Sequence, residues 1–457
     1  MRRTSFSHRK SFLHLALIVC HLSFCLLSLL SAAPPNILVI LTDDQGRGDY
    51  SAFGTKDIHT PNLDRLFNEG MTFENFYANS CVCSPSRAAL LTGCYPDRVG
   101  VPGVIRDIGE NSWGHLSAKA VLLPQSLRSS QYHSAIIGKW HLGDASPNTP
   151  NERGFDEFHG FLGDMMDDYW THLRNGRNFM RHNAETIDPK GHATDVFTEW
   201  ACEYLNGRAK VKDKPFFLYL AYNAPHDPVQ PPPDWVEKVR KREPGMSEKR
   251  SKLVALIEHM DSGVGKVLET LDKTGLAANT LVIFSSDNGG ILANGANNGP
   301  WRGEKQHMYE GGLRVPCAAR WPEKIKPGSH TNRVALTMDI FATACAAANV
   351  TAPAKIDGVS FLPTLLGESQ PETTRDNYFV RREGGPVYGG KTIEALRLGD
   401  WKLVQDSPFA PAELFNMKDD PMESNNLAVK QRKILMDLSK VLRVHIQEGG
   451  KVPWQAE

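Results

Sequence analysis

The chain has 457 residues, 52 Lys plus Arg against 52 Asp plus Glu, 41% hydrophobic and 23% charged residues, and eight Cys. Cysteine this sparse in a chain this long excludes a disulfide-stapled miniprotein, and ordinary apolar content with no net charge excludes general disorder. The absence of a basic excess argues against a nucleic-acid partner.

Taken in chain order, the first 33 residues differ from the rest. Arg2, Arg3, Arg9 and Lys10 precede a mostly apolar run over residues 11–30, and the small residues Ser31-Ala32-Ala33 follow. This is the pattern of a signal peptide, so a secreted or periplasmic protein is expected. Its removal leaves 48 basic against 52 acidic residues, a net charge of −4. No other apolar stretch reaches the roughly 18–20 residues that span a bilayer, so no transmembrane segment is expected after signal removal.

Residues 34–376 read as one α/β domain. Asn36–Leu41 is a continuous branched apolar run, as in a buried parallel strand. A helix is predicted over Pro61–Glu69, with Thr60 as N-cap, Pro61 at N1 and Gly70 at its end. Met71–Tyr77 reads as a strand. Pro85–Thr92 reads as a second helix, capped by Ser84 and closed by Gly93. Further strands are predicted at Ser134–Gly138, Phe216–Tyr222 and Leu281–Ser285, with helices at about Asp195–Leu205 and Lys249–Lys273. This alternation predicts a large, mostly parallel sheet flanked by helices. Pro225–Pro233 and Asn294–Gly303 read as loops. From residue 377 to 457 a smaller C-terminal subdomain is expected, with antiparallel strands at Tyr378–Arg382, Ile393–Leu398 and Trp401–Gln405 and a helix from about Leu427 to Glu448.

Four of the predicted strands end in unusual polar residues. Asp43-Asp44 follows the first, Lys139 and His141 follow Ser134–Gly138, His226 follows Phe216–Tyr222, and Asp287-Asn288 follows Leu281–Ser285. Ligands of open α/β sheets bind at strand carboxyl ends, so one pocket can gather all four clusters. Asp43, Asp44, Asp287 and Asn288 offer oxygen donors, which suit a hard cation such as Ca²⁺ or Mg²⁺. Cys83 lies at a helix N-terminus, where free N–H groups favour an anion. Arg87, one turn later, can point back at the same place. A nucleophile beside an anion hole with a fixed Arg suits a sulfate or phosphate ester.

At Cys83-Ser-Pro-Ser-Arg87, followed by Leu91-Thr-Gly93, the sequence resembles the type I sulfatases of the alkaline phosphatase superfamily, including arylsulfatase-like and N-acetylgalactosamine-6-sulfatase-like secreted enzymes. The resemblance extends through Pro35–Gly46, Thr60–Arg65, Gly138–Gly143, Pro225-His226, Ser286–Gly289, Tyr309–Pro316 and Leu396–Lys402. It implies an alkaline phosphatase-like fold and a sulfuric ester hydrolase acting on a sulfated carbohydrate or aryl sulfate. It further implies that a formylglycine-generating enzyme or its equivalent oxidises Cys83 to formylglycine (3-oxoalanine). One hydroxyl of the hydrated aldehyde then attacks sulfur, and loss of a proton from the second expels sulfate. By the same resemblance Asp43, Asp44, Asp287 and Asn288, with the modified Cys83, hold one divalent cation, usually Ca²⁺. Arg87, Lys139 and Lys305 clamp the transferring group, His226 protonates the leaving oxygen, and His141 deprotonates the second hydroxyl. The stretch Glu304-Lys305-Gln306-His307 departs from the family's frequent Gly-Lys-Gly-Thr. Two other readings compete: a formylglycine-dependent phosphonate or phosphate monoester hydrolase of the same superfamily, and a non-catalytic secreted glycan-binding protein. Phe161–His182, with Tyr169, Trp170, Arg174 and Arg177, is a candidate sugar-contacting loop.

Overall fold

The computed structural model describes residues 34–107, 111–211, 213–372, 374–383 and 391–455. The expected signal segment, residues 1–33, lies outside the described residues. Sixteen strands are present among the described residues. In chain order they are β1 (Asn36–Thr42), β2 (Met71–Tyr77), β3 (His133–Lys139), β4 (Glu157–Phe161), β5 (Leu173–Arg174), β6 (Arg177–Asn178), β7 (Met180–His182) and β8 (Glu185–Thr186), followed by β9 (Phe216–Ala221), β10 (Thr280–Ser286), β11 (Cys317–Arg320), β12 (Ser329–Leu336), β13 (Asn377–Arg382), β14 (Thr392–Leu398), β15 (Trp401–Gln405) and β16 (Glu413–Asn416).

Ten strands form one sheet in the order β12-β2-β11-β10-β1-β9-β3-β4-β7-β8. Its centre, β10-β1-β9-β3-β4, is entirely parallel. β11 and β7 run against their neighbours. β1 is central because Ile37, Leu38, Val39 and Ile40 have no exposed surface at all. A strand with no solvated face must be apolar at every position, which explains its unbroken run. Helices flank the sheet, and Glu248–Lys273 packs with Pro61–Glu69, Ala193–Arg208 and Pro233–Arg242. Among the described residues no helix is long and apolar enough to cross a membrane.

Four further strands make a separate antiparallel sheet, β13-β14-β15-β16, with a turn at Gly399-Asp400 between β14 and β15. The sheet is buried on both faces, with Tyr378, Leu396, Leu403 and Leu414 on one and Phe379 and Phe415 on the other, in a cluster that also holds Leu438 and Leu442 of the helix Arg432–Gly449. That helix starts five residues later than its apolar pattern indicates. Buried Lys402 of β15 reaches Glu310 Oε1 at 2.9 Å, joining this sheet to the segment after Tyr309.

Two caps differ from the sequence reading. Thr60 does not cap the helix Pro61–Glu69, because its hydroxyl donates to Asp64 Oδ1 at 2.9 Å. The carboxylate of Asp261, from the long helix, takes the free amides of Asn62 and Leu63 at 3.2 and 2.7 Å. The second helix begins at Cys83 rather than Pro85, with Val82 as its N-cap. Ser84 is thereby inside the helix, and its Oγ accepts from the Ile105 amide at 3.1 Å. Gly93 closes the helix at φ 69°, where a side chain would be strained.

Candidate active site

The four adjacent parallel strands β10, β1, β9 and β3 all end on the same edge of the sheet. Their carboxyl ends deliver Asp287-Asn288, Asp43-Asp44, His226 and Lys139 with His141 respectively. The turns are stitched across strands: the Asp43 amide donates to Ala224 O at 3.1 Å and the Asp287 amide to Thr42 O at 3.1 Å. Asp44 takes a left-handed conformation, φ 64°, which turns its amide onto Asp287 Oδ1 at 3.1 Å. Gly289 is required by a close approach, since a Cβ there would stand 1.9 Å from the Gly311 carbonyl. The two separate motifs Ser286–Gly289 and Tyr309–Gly312 are thus two sides of one contact.

Every residue singled out from the sequence for chemistry is gathered here. Buried Lys139 reaches Asp43 Oδ2 at 2.6 Å. Lys305 reaches Asp44 Oδ2 at 2.6 Å and His226 Nε2 at 3.1 Å. Arg87, with no exposed surface, places Nε and one terminal nitrogen 3.1 and 2.8 Å from Asp287 Oδ2, and that nitrogen lies 3.5 Å from Asp43 Oδ2. Asn288 donates to Asp44 Oδ1 at 2.7 Å. Donor atoms of Asp43, Cys83 and Asp287 lie within 4.8 Å of one another, as do those of Asp43, Asp44 and His226. Cys81 is not part of this group; its carbonyl accepts from the Gln306 amide at 2.9 Å.

Three buried carboxylates therefore face two buried cations, Arg87 and Lys139, and a partly buried third, Lys305, and the resulting fields are strong. Burial pushes the Asp43 carboxyl up, but Lys139, His226, Arg87 and Lys305 together outweigh it and hold it well below the ordinary range. Asp287 goes the other way: burial, then the Asp43 charge, push it up to about 8 against the pull of Arg87. Burial raises the Cys83 thiol. His141 is held well below 6.5 by burial and by Lys139 and Arg87. His226 is lowered by burial and by Lys305.

The oxygen atoms fit a hard cation. Asp43 Oδ1 and Asn288 Oδ1 are buried without a hydrogen-bond partner, an expensive arrangement unless another group satisfies them. With Asp44 and Asp287 they form an all-oxygen donor set. A divalent ion there would also tip the balanced cluster towards positive charge and so towards an anionic ligand.

Some contributors could not be read from the sequence. The Ile105 carbonyl holds His141 Nε2 at 2.7 Å, which leaves buried Nδ1 without a partner. Tyr169, expected in a sugar-contacting loop, is instead fully buried, and its hydroxyl stands 2.8 Å from the carbonyls of both Asn223 and His226, holding the His226 loop. In the departure at 304–307, Gln306 takes φ 75° and its side chain accepts from Arg381 of β13 at 3.1 Å. These contacts join residues 36 to 75 positions apart, beyond the reach of local pattern.

Comparison with known proteins agrees with this geometry. The sulfatase family profile matches residues 35–350, and a second, described as N-sulphoglucosamine sulphohydrolase, C-terminal, matches residues 301–448. Human N-acetylgalactosamine-6-sulfatase is 35% identical over 394 residues, covering 81% of this chain and 71% of the relative. The N-acetylgalactosamine-6-O-sulfatase of Bacteroides thetaiotaomicron is 28% identical over 494 residues, covering 89% and 92%. The crystal structure of Ps i-CgsB in complex with k-i-k-neocarrahexaose superposes with a TM-score of 0.83 at 31% identity, covering 93% and 95%.

Proposed function

This chain belongs to the sulfatase family and is a sulfatase, and on that premise we propose that it hydrolyses sulfate monoesters of a carbohydrate, with Cys83 in its formylglycine form and a divalent cation, Ca²⁺ in preference to Mg²⁺. The observation that carries the reading is the placing of Cys83 at a helix N-terminus, its sulfur within 4.8 Å of Asp43 and Asp287 oxygens, inside a ring of Arg87, Lys139 and Lys305. The carbohydrate class is supported by the relatives named as N-acetylgalactosamine-6-sulfatases and by the complex of Ps i-CgsB with k-i-k-neocarrahexaose.

Oxidation of Cys83 by a formylglycine-generating enzyme provides a hydrated aldehyde, whose hydroxyl is a nucleophile no thiol can replace. Asp43, Asp44, Asp287 and Asn288 would hold the cation, which when bound polarises a sulfuryl oxygen and favours ionisation of the nucleophile. Arg87, Lys139 and Lys305 bind the sulfuryl oxygens, and because they are already fixed by carboxylates they need no reorganisation as charge develops. His226 has Nδ1 2.8 Å from the Asp227 carbonyl and turns Nε2 into the site beside Lys305. There Nε2 accepts from the Lys305 ammonium, so it is the imidazolium, protonated on both nitrogens, that delivers a proton to the leaving sugar oxygen. His141 keeps its proton on Nε2, bonded to the Ile105 carbonyl, so the Nδ1 lone pair is free to accept one. We assign export to the N-terminal leader. Sulfate release measured against phosphate release from matched para-nitrophenyl esters tests the reaction class: a large preference for sulfate is expected, and a preference for phosphate would overturn it.

A further inference from the structure

Beside the His226 loop lies an open groove of about 830 Å³, lined among others by Trp170, Pro231, Pro233, Val236, Arg240 and Lys252. Its volume lies in the range of a small-ligand site. It adjoins the active site through the chain itself. Gln230 follows His226 by four residues, which limits the separation along the backbone to roughly 14 Å. On its other side, the helix that starts at Glu248 is tied to the loop following Asn288: Lys249 donates to the Ala293 carbonyl at 3.2 Å and Arg250 to the Gly295 carbonyl at 3.0 Å. The groove thus lies between the segments that carry His226 and Asp287-Asn288.

Trp170 is 45% exposed, and it is the one tryptophan among the large apolar side chains that stand open to solvent in the described residues. Its exposure is not slackness, because its surroundings are fixed by several hydrogen bonds. Asp168 Oδ1 accepts from the amides of Trp170 and Thr171 at 2.8 and 2.7 Å. Gln230 accepts from the Tyr169 amide at 2.9 Å, donates to Asp168 Oδ2 at 3.3 Å, and has its carbonyl 3.0 Å from His192 Nε2. The His192 ring meets the Trp170 indole edge-on at 5.1 Å. A rigid aromatic face held in solvent against a proline wall offers flat apolar area at little entropic cost, as saccharide rings require. The groove's cations add a second feature. Lys241 and Lys252 are matched by Glu237 and Glu248 at 2.7 and 2.8 Å. Arg240 has only a loose 4.0 Å approach to Glu248, so its planar fork is available to an oxyanion.

We propose that this groove is a saccharide-binding subsite continuing the active site, so that the substrate is a sulfated chain of several sugars rather than a single sulfated sugar. Trp170 stacks on the ring of a unit beyond the scissile sulfate, and Arg240 pairs with an anionic substituent of a neighbouring unit. The inference rests on the carbohydrate-sulfatase reading above.

The test uses the full chain matured with a formylglycine-generating enzyme. Its kcat/KM is measured on para-nitrophenyl sulfate and on sulfated disaccharides and hexasaccharides prepared from galactosamine- and galactose-based polysaccharides. The wild type should favour hexasaccharide over disaccharide, and Trp170→Ala should lower the ratio of hexasaccharide to para-nitrophenyl sulfate kcat/KM by about tenfold, through KM. Arg240→Ala should lower the same ratio by a smaller factor and flatten its salt dependence. Equal wild-type kcat/KM on disaccharide and hexasaccharide, or variants that depress both probes alike, would overturn the subsite. Hydrolysis of para-nitrophenyl sulfate with no saccharide accepted at all would instead overturn the carbohydrate reading, and the subsite with it.

Discussion

Arg87→Lys is the substitution that most sharply separates charge from geometry in this site. The replacement keeps the positive charge but loses the planar fork. Arg87 makes two contacts to Asp287 Oδ2, at 3.1 and 2.8 Å, and a third to the Lys139 carbonyl at 3.3 Å. A lysine ammonium, with its shorter overall reach and single nitrogen, contacts at most one of these acceptors. Losing one charge-assisted bond and the carbonyl contact costs about 3 kcal/mol of stability, from roughly 1.5–3 for the first and about 1 for the second. The effect on catalysis is larger in rate terms. Removing one fixed donor from a developing oxyanion lowers kcat by about 10²–10³. Urea denaturation of the purified variant reads the first quantity, and initial rates on para-nitrophenyl sulfate read the second. A variant with wild-type stability and undiminished kcat would refute the reasoning, since Arg87 would then neither organise the carboxylates nor hold the transferring group.

Other expectations follow from the same contacts. Tyr169→Phe removes the hydroxyl that bridges the Asn223 and His226 carbonyls; it should cost about 1–2 kcal/mol and lower kcat more on substrates with poor leaving groups, which need the His226 proton most. Chelation with EDTA should abolish activity, and Ca²⁺ restored at about 100 times its Kd should return activity and add about 2.7 kcal/mol of stability by linkage. A differential scanning measurement without that gain would remove the cation from the account. His192 is held to about 4 against 6.5 by burial and by His259. Between those values the unfolded chain binds more protons than the folded one, so stability rises with pH there. Acidification from 6.5 to 4 therefore removes up to about 3 kcal/mol through this residue, and His192→Asn should flatten the dependence of melting temperature on pH over that window.

The sequence carries the parallel centre of the fold and the site at its edge because both depend on local signals. β1 and β9 are continuous apolar runs over Ile37–Leu41 and Phe216–Ala221, and the chemistry sits immediately after strand ends, where the fold class places ligands. The outer strands are harder to read. β4 interrupts its apolar pattern with His159 and Gly160, β11 is a four-residue strand containing two alanines, and β12 opens on Ser-His-Thr-Asn-Arg before any apolar residue appears. β16 is four residues long and leans on β15 for its definition. The capping of Pro61–Glu69 by Asp261 joins residues nearly two hundred positions apart, and the polar residue already in the expected place, Thr60, turns to Asp64 instead. Within the site, Arg87, Lys139 and Lys305 are found by motif, whereas the supports Ile105 and Tyr169 act through backbone carbonyls and loop contacts that leave no motif. The departure at Glu304-Lys305-Gln306-His307 has a physical reason visible only in three dimensions: Gln306 ties this loop to Arg381 of the second sheet.

The central claim is that Cys83 does not act as a cysteine. Mass spectrometry of the peptide Leu66–Arg87, released by trypsin from active protein, tests it directly, since the aldehyde or its hydrate differs in mass from the thiol and Cys81 in the same peptide serves as an unmodified reference. The account predicts formylglycine at position 83 in a fraction that tracks specific activity across preparations. A homogeneous thiol at Cys83 in protein that still releases sulfate at full rate would contradict it.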